Sequence, residues 1–258
     1  KALGQVDRLI GGQSAYSSQN LQGFASRPIT NAEAQQDHNL ILKKDRISGT
    51  FARLFADYAG IVMGILPTIV VIAYCYADRR SRALTSLQSK TTSTWRLLGS
   101  RYLASLVTLL IPIFLMGIVL TIQIALHYQG YQIDYLAFFK MTGLWLLPTL
   151  MVSSAVGFLS YALFGNFLGF VVQICWWLST MMIGARQVAG NYGWLLIPRH
   201  NSLHNVAYYE AHLSELMFNR VSYAALAIGF ICLAAVLLNL QRGGKFHAIN
   251  FETICRFR

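Results

Sequence analysis

At 258 residues, with 55% hydrophobic and only 12% charged side chains, the chain has roughly half the charge share of an average soluble domain, which excludes an ordinary soluble enzyme. A net charge of +11 invites a nucleic-acid partner. Lys and Arg, however, gather at the edges of apolar runs, where they serve topology and anionic headgroups, so no nucleic acid is expected. Cys75, Cys175, Cys232 and Cys255 show no CxxC spacing, and a disulfide framework is not expected.

In chain order, residues 1–56 form an expected extracytoplasmic segment: Gly, Ser, Gln and Asn runs, then a mixed-charge piece, ILKKDRISGTFARLFADY, that reads as a helix entering the first span. A basic start followed by an apolar run is lacking there, so it is not a signal peptide. Five hydrophobic spans are expected at about 58–77, 102–126, 136–163, 167–183 and 221–240, each near the ~20 residues that cross ~30 Å of hydrocarbon. Pro67 lies in the first and Pro112 in the second; neighbouring helices and Ser/Thr groups satisfy the carbonyl that such a proline frees. Met141–Ala185 is uncharged throughout and would be about 67 Å long as one helix, twice the bilayer, so it must fold back. The break is expected at Phe164-Gly165-Asn166.

The loop after the first span carries Arg79, Arg80, Arg82, Lys90, Arg96 and Arg101, and the tail 241–258 carries Arg242, Lys245, Arg256 and Arg258. Both are therefore assigned to the cytoplasm by the positive-inside rule. Lys43, Lys44, Arg46 and Arg53 then lie on the outer side, which conflicts with that rule. Two readings accommodate both facts: the whole orientation is inverted, or a further span precedes Lys1, so that the five visible spans are part of six and residues 1–56 are translocated; the second is the expectation adopted.

The segment YADRRSRALTSLQSKTTSTWRLLGSRYLASLVTLLIPIF couples an acidic-basic pair, Asp78-Arg79, to a short helix at Ala83-Leu84-Thr85-Ser86-Leu87. A turn at Ser89-Lys90-Thr91-Thr92-Ser93 follows, and Arg101-Tyr102-Leu103-Ala104 leads into the next span. Leu84 and Leu87 share a helical face, which reads as a docking helix in the coupling loop 78–101. In the order of these parts the chain resembles the type-2 ATP-binding-cassette exporter permeases. It departs from them in Asp78 where glutamate is usual, in Arg82-Ala83 where Gly-Thr is usual, and in lacking a proline after Lys90. The resemblance implies an all-α polytopic membrane bundle with a short cytoplasmic coupling helix. It further implies a multi-pass protein of a bacterial cell membrane, pairing with a second permease copy or paralogue in membrane lipid, and a partner cytoplasmic ATPase docked through Asp78, Arg79, Arg80, Arg82, Leu84, Leu87 and Lys90. This chain has no GxxxxGK[ST] loop, so ATP and Mg belong to the partner and the chain itself needs no cofactor.

Gly60-xxx-Gly64 and Gly165-xxx-Gly169 permit close helix approach, within the chain or between copies. Gln123, Asn166, Gln173 and Asn239 are expected to hydrogen-bond between helices. Lys140, Trp176 and Trp177 are candidates for a substrate path, although Lys140 also lies near enough to a helix end to snorkel. The segment 185–218 reads as an outer re-entrant or interfacial stretch with Trp194, Tyr208 and Tyr209 at the headgroups. Its His200, His204 and His212 raise the alternative of an integral-membrane metal enzyme, although Asn201 breaks HExxH. A non-catalytic anchor or sensor subunit is a third reading.

Overall fold

The long helical stretch at the start of the bundle is launched by a reciprocal cap. The Glu33 amide donates to Thr30 Oγ1 (3.3 Å), and the Thr30 amide donates to Glu33 Oε2 (2.9 Å), satisfying two of the end's unpaired N–H groups. The computed structural model describes residues 2–9, 11–12, 30–81, 93–165, 168–184 and 190–245. Among them the order is α1 (Ala2–Leu9), α2 (Asn31–Leu40), a π turn (Ile41–Asp45), α3 (Arg46–Met63), α4 (Leu66–Arg80) and α5 (Thr94–His127). Then come α6 (Ala137–Met141), a π turn (Thr142–Leu146), α7 (Leu147–Phe164), α8 (Leu168–Gly184), α9 (Val206–Ala211) and α10 (Leu213–Arg242).

The fold is an all-α membrane bundle. Four helical stretches are long and apolar enough to span a bilayer, Asn31–Asp78, Thr94–His127, Ala137–Phe164 and Leu213–Arg242, and Leu168–Gly184 is a shorter apolar helix. The 48 residues of the first stretch would reach about 72 Å, over twice the hydrocarbon thickness, so its start projects beyond the bilayer. The expected boundary at 56/57 falls inside α3.

The first span is two helices rather than one. The chain turns at Gly64-Ile65, and Pro67 sits in the first turn of α4, where its missing N–H costs nothing. The Gly64 carbonyl, left without a helical donor, accepts from Ser153 Oγ of α7 (3.0 Å) and from Gln173 Nε2 of α8. Thr68 Oγ1 returns a bond to the Ser153 carbonyl (2.6 Å), and Trp177 Nε1 donates to Ile61 O (2.8 Å). Polar groups on two neighbouring spans thus repair the broken ladder, the only way irregular backbone survives at membrane depth.

The stretch Ala137–Phe164 forms the centre. Its most apolar window is 72% buried, against 22% for Thr94–His127 and for Leu213–Arg242, and α7 packs on α4, α8 and α10. On α5, Leu103, Val107, Ile111, Leu115, Val119 and Ile122 point outward, the surface a lipid solvent requires. Between α7 and α8 the chain reverses where the uncharged run demanded it: Gly165 takes a left-handed conformation (φ 61°) and its amide closes on Tyr161 O at 2.8 Å, a conformation glycine adopts freely.

Both small-residue motifs work within the chain. A Cβ on Gly64 would lie 2.6 Å from Ile197 Cδ1, and one on Gly169 would lie 2.0 Å from Ser160 Cβ. Gly169→Ala should therefore force α8 off α7 and cost about 1–3 kcal/mol by overpacking. Gly229→Ala, with nothing within 4 Å of the new methyl, should match or exceed the parent's melting temperature in detergent.

Candidate functional site

The two ends of the bundle differ in chemistry. At one end, the N-terminal half of α3, the segment 190–205, α9 and the start of α10 form a polar cap. At the other, the ends of α4, α5 and α10 converge at the root of the basic loop.

The cap begins with Asp45, which folds back beneath α3. Arg53 Nη1 and Nη2 donate to Asp45 Oδ1 (3.1 Å) and Oδ2 (2.7 Å), and Thr50 Oγ1 donates to Oδ2 at 2.5 Å. Gly49 makes the fold-back feasible, since a Cβ there would sit 2.6 Å from Asp45 Oδ1. The fully buried Arg53 guanidinium also lies 4.5 Å over the Tyr209 ring, a cation–π contact strengthened by desolvation. One turn further, buried Asp57 pairs with Arg199 Nε at 3.1 Å and accepts the Asn201 amide at 3.1 Å. Lys44 reaches Glu210 at 2.8 Å across the surface. The cations that conflicted with the positive-inside reading thus include two, Lys44 and Arg53, that are partnered by carboxylates.

Segment 190–200 is a short hairpin in which Asn191 and Arg199 exchange both backbone bonds, at 2.6 and 2.9 Å. It starts at Gly190 (φ 108°), where a Cβ would meet Arg199 O at 2.7 Å, so a side chain is excluded by both backbone and space. Fully buried Ile197 packs over Gly60 and Gly64 of α3 and the turn after it. Arg220 of α10, 2% exposed, holds the hairpin in place. Its Nη1 donates to Trp145 O (3.1 Å) and Thr149 Oγ1 (2.7 Å), and its Nη2 donates to Leu195 O (3.0 Å) and Leu196 O (3.3 Å). Asn219 Nδ2 adds bonds to the Gly193 and Leu195 carbonyls. A guanidinium suits this site because its planar fork serves several acceptors at once.

The histidines do not converge on a metal geometry. The His200 ring is buried, with Nδ1 2.5 Å from Tyr192 Oη and Nε2 2.8 Å from the His204 carbonyl. A carbonyl only accepts, so Nε2 carries the proton, and Nδ1 accepts from the Tyr192 hydroxyl. His212 turns back to Tyr208 O (2.9 Å) and stacks on that ring at 4.1 Å. Among the described residues no three His, Cys, Asp or Glu side chains assemble as a metal site, and with both His200 nitrogens engaged the metal-enzyme alternative loses its ligand. Burial, with the Arg53 charge adding to it, pulls the His200 imidazole down to about 4, while burial pushes the Tyr192 phenol well above its ordinary range. Both groups stay neutral in their shared bond.

Of the residues singled out from sequence, Asp78 ends α4 in an ion pair with Arg101 at 2.8 Å, and Arg80 is exposed beside it. The Arg79 side chain and residues Arg82, Leu84, Leu87 and Lys90, hence the expected coupling helix, lie outside the described residues. Lys140 is paired with Asp134 at 2.5 Å, its side chain 60% exposed, and the same contact holds the Asp134 carboxyl below its usual range. Trp176 stacks on Tyr223 at 6.0 Å. Lys140 therefore engages a loop carboxylate while the two tryptophans pack into the bundle, and the three do not share partners. Gln173 and Asn239 do bond between helices, Asn239 Oδ1 to Thr94 Oγ1 at 3.4 Å.

Asp57, Arg199 and Arg220 are absent from the sequence-derived set. Asp57 and Arg220 stand just outside the expected spans 58–77 and 221–240, yet each lies inside a helix, covered by a segment remote in sequence. The available signal was their position directly beside a span with a partner of opposite charge or a carbonyl-rich loop elsewhere.

Arg220→Met should destabilise the protein by about 3 kcal/mol or more, since several buried carbonyls lose a charged donor together, and Arg220→Lys should recover only part, as read by thermal melts in detergent. Lowering pH protonates the imidazole of the unfolded chain near 6.5 but that of the fold only near 4. Stability should therefore fall as pH drops through that window, and His200→Asn should flatten the dependence.

Compared with protein-family models, with curated proteins and with solved structures, the chain matches none, so the residues themselves carry the assignment of an all-α membrane bundle.

Proposed function

We propose that the chain is a permease subunit of an ATP-driven ABC exporter that moves an amphiphilic substrate. A separate cytoplasmic ATPase subunit holds ATP and Mg, and a second permease copy or paralogue completes the pathway. The observation that carries this reading is the anchoring of the basic loop's two roots. Asp78 at the end of α4 pairs with Arg101 of α5 at 2.8 Å, and the Arg101 guanidinium lies 5.9 Å from the Tyr74 ring. On the other root, Thr94 Oγ1 donates to Asn239 Oδ1 (3.4 Å) and accepts from Arg242 Nη1 (3.2 Å), both on α10. Gln241 Nε2 ties α10 to the Ala162 carbonyl of α7 at 2.7 Å. A force applied to the loop reaches α4, α5 and α10 together, and through α10 the central helix. That is the mechanical requirement for a partner's ATP-driven closure to move the spans.

The amphiphilic character of the substrate is supported by an open groove of 810 Å³ between α3 and α5. Phe51, Phe55, Tyr58 and Phe138 give it an aromatic wall, with Gln123 and His127 as polar ends. A mostly apolar site with few polar groups, of a size that holds a drug-sized molecule, suits an amphiphile.

The neighbouring reading frames are the place to seek the partner for a test. An ATPase with a phosphate loop should copurify with this chain in detergent, and Asp78→Arg should lower its substrate-stimulated ATPase rate about tenfold, within the usual range of coupling between sites. The exchange Asp78→Arg with Arg101→Asp should restore it. A chain that retains no ATPase, or an ATPase rate indifferent to Asp78→Arg and to Arg80→Glu, would make it an anchor instead.

A further inference from the structure

At the basic end of the bundle, α5, α7 and α10 enclose a narrow pocket whose depth is apolar and whose mouth is cationic. Buried Cys75, Leu98 and Phe158 and half-buried Leu97 and Leu238 line it, and Arg101 and the exposed Arg242 flank it. The described side chains at the ends of α4, α5 and α10 include five cations, Arg80, Arg96, Arg101, Arg242 and Lys245, and one carboxylate, Asp78, which pairs with Arg101 at 2.8 Å. The N-terminal end of α5 opens beside the pocket at Thr94 and adds positive potential to that of the two guanidiniums.

We propose that this pocket binds an anionic phospholipid of the adjoining leaflet, its phosphate between Arg101 and Arg242 and the start of an acyl chain against Leu97, Leu98 and Leu238. Charge complementarity selects the occupant. Two guanidiniums at one mouth match a phosphodiester, which accepts forked hydrogen bonds, and the apolar depth matches hydrocarbon but not a free anion. A zwitterionic lipid brings its own cation to the same mouth and forfeits the advantage. Basic pockets between spans are general sites for acidic headgroups. The site is separate from the aromatic groove at the opposite end of α5, and it stands whether or not the chain is a permease. Its consequence is local: a phosphate between Arg101 and Arg242 would bridge α5 to α10, beside the bond Arg242 already makes to Thr94 (3.2 Å).

Native mass spectrometry of the detergent-purified full chain, titrated with phosphatidylglycerol or phosphatidylcholine, tests this directly. One phosphatidylglycerol should be retained at concentrations where phosphatidylcholine is lost. Arg242→Gln, at an exposed helix end, should weaken that binding about tenfold, the loss expected for one hydrogen bond to a charged group. Leu238→Trp, which fills the depth and keeps both arginines, should weaken it as well. Lipid-free melting temperatures within a few degrees of the parent's, given as an approximate bound, establish that both variants are folded, and Leu98→Phe replaces whichever is not. Equal retention of the two lipids, or phosphatidylglycerol binding unchanged in the folded variants, overturns the proposal. So does equal competition by inorganic phosphate or glycerol phosphate, which would assign the arginines to a soluble anion.

Discussion

Irregular backbone buried away from water must find its hydrogen-bond partners within the protein, and the arrangement of this bundle follows from where that condition is met. Arg220 is the main instance. The hairpin 190–200 presents the Leu195 and Leu196 carbonyls, and the π turn before α7 presents the Trp145 carbonyl; one guanidinium on α10 donates to all three. A charge of this kind is costly in hydrocarbon by several kcal/mol. The acceptors around it replace the water it would otherwise require. The site thereby fixes the relative positions of α7, α10 and the hairpin.

The break in the first span meets the same condition with neutral groups. Gly64 releases a carbonyl, and Ser153 and Gln173 supply its donors from two different helices. Ile197 of the hairpin then packs over Gly60 and Gly64, so the split span, the central helix and the polar cap interlock at one place. Ion pairs add a further layer: Arg53 with Asp45 and Arg199 with Asp57 are withdrawn from water, and each would leave a costly unpaired charge if its partner were removed. The cap is therefore a structural plug on one end of the bundle, and the mechanical linkage of the proposed coupling loop lies wholly at the other.

Between those ends, the exposed faces of α5 and α10 carry large apolar side chains, Leu103 to Ile122 on one and Val221 to Val236 on the other. These surfaces suit lipid, and they leave the central helix as the element that contacts the rest. The Asp78–Arg101 pair and the Thr94–Asn239–Arg242 chain tie α4, α5 and α10 together at the basic end.

Much of the architecture was legible in the sequence. Uncharged runs of the right length announced the spans, Phe164-Gly165-Asn166 announced the reversal, and Gln173 announced a bond between helices, because span length and backbone satisfaction are local or nearly local requirements. The ends of the spans were less legible. The expected spans start at residues 58 and 221, whereas α3 begins at Arg46 and α10 at Leu213, with Asp57 and Arg220 inside them. A charge marks the membrane edge only when it remains solvated. Here segments 144 and 25 residues away in sequence, through the Asn201 amide and the Leu195 carbonyl, provide the solvation instead. Sequence alone thus determined that the chain is a bundle of long apolar helices suited to lipid. Tertiary structure decided which charges it carries inside, because only folding brings a carbonyl or a counter-ion to a group that hydrocarbon would otherwise reject.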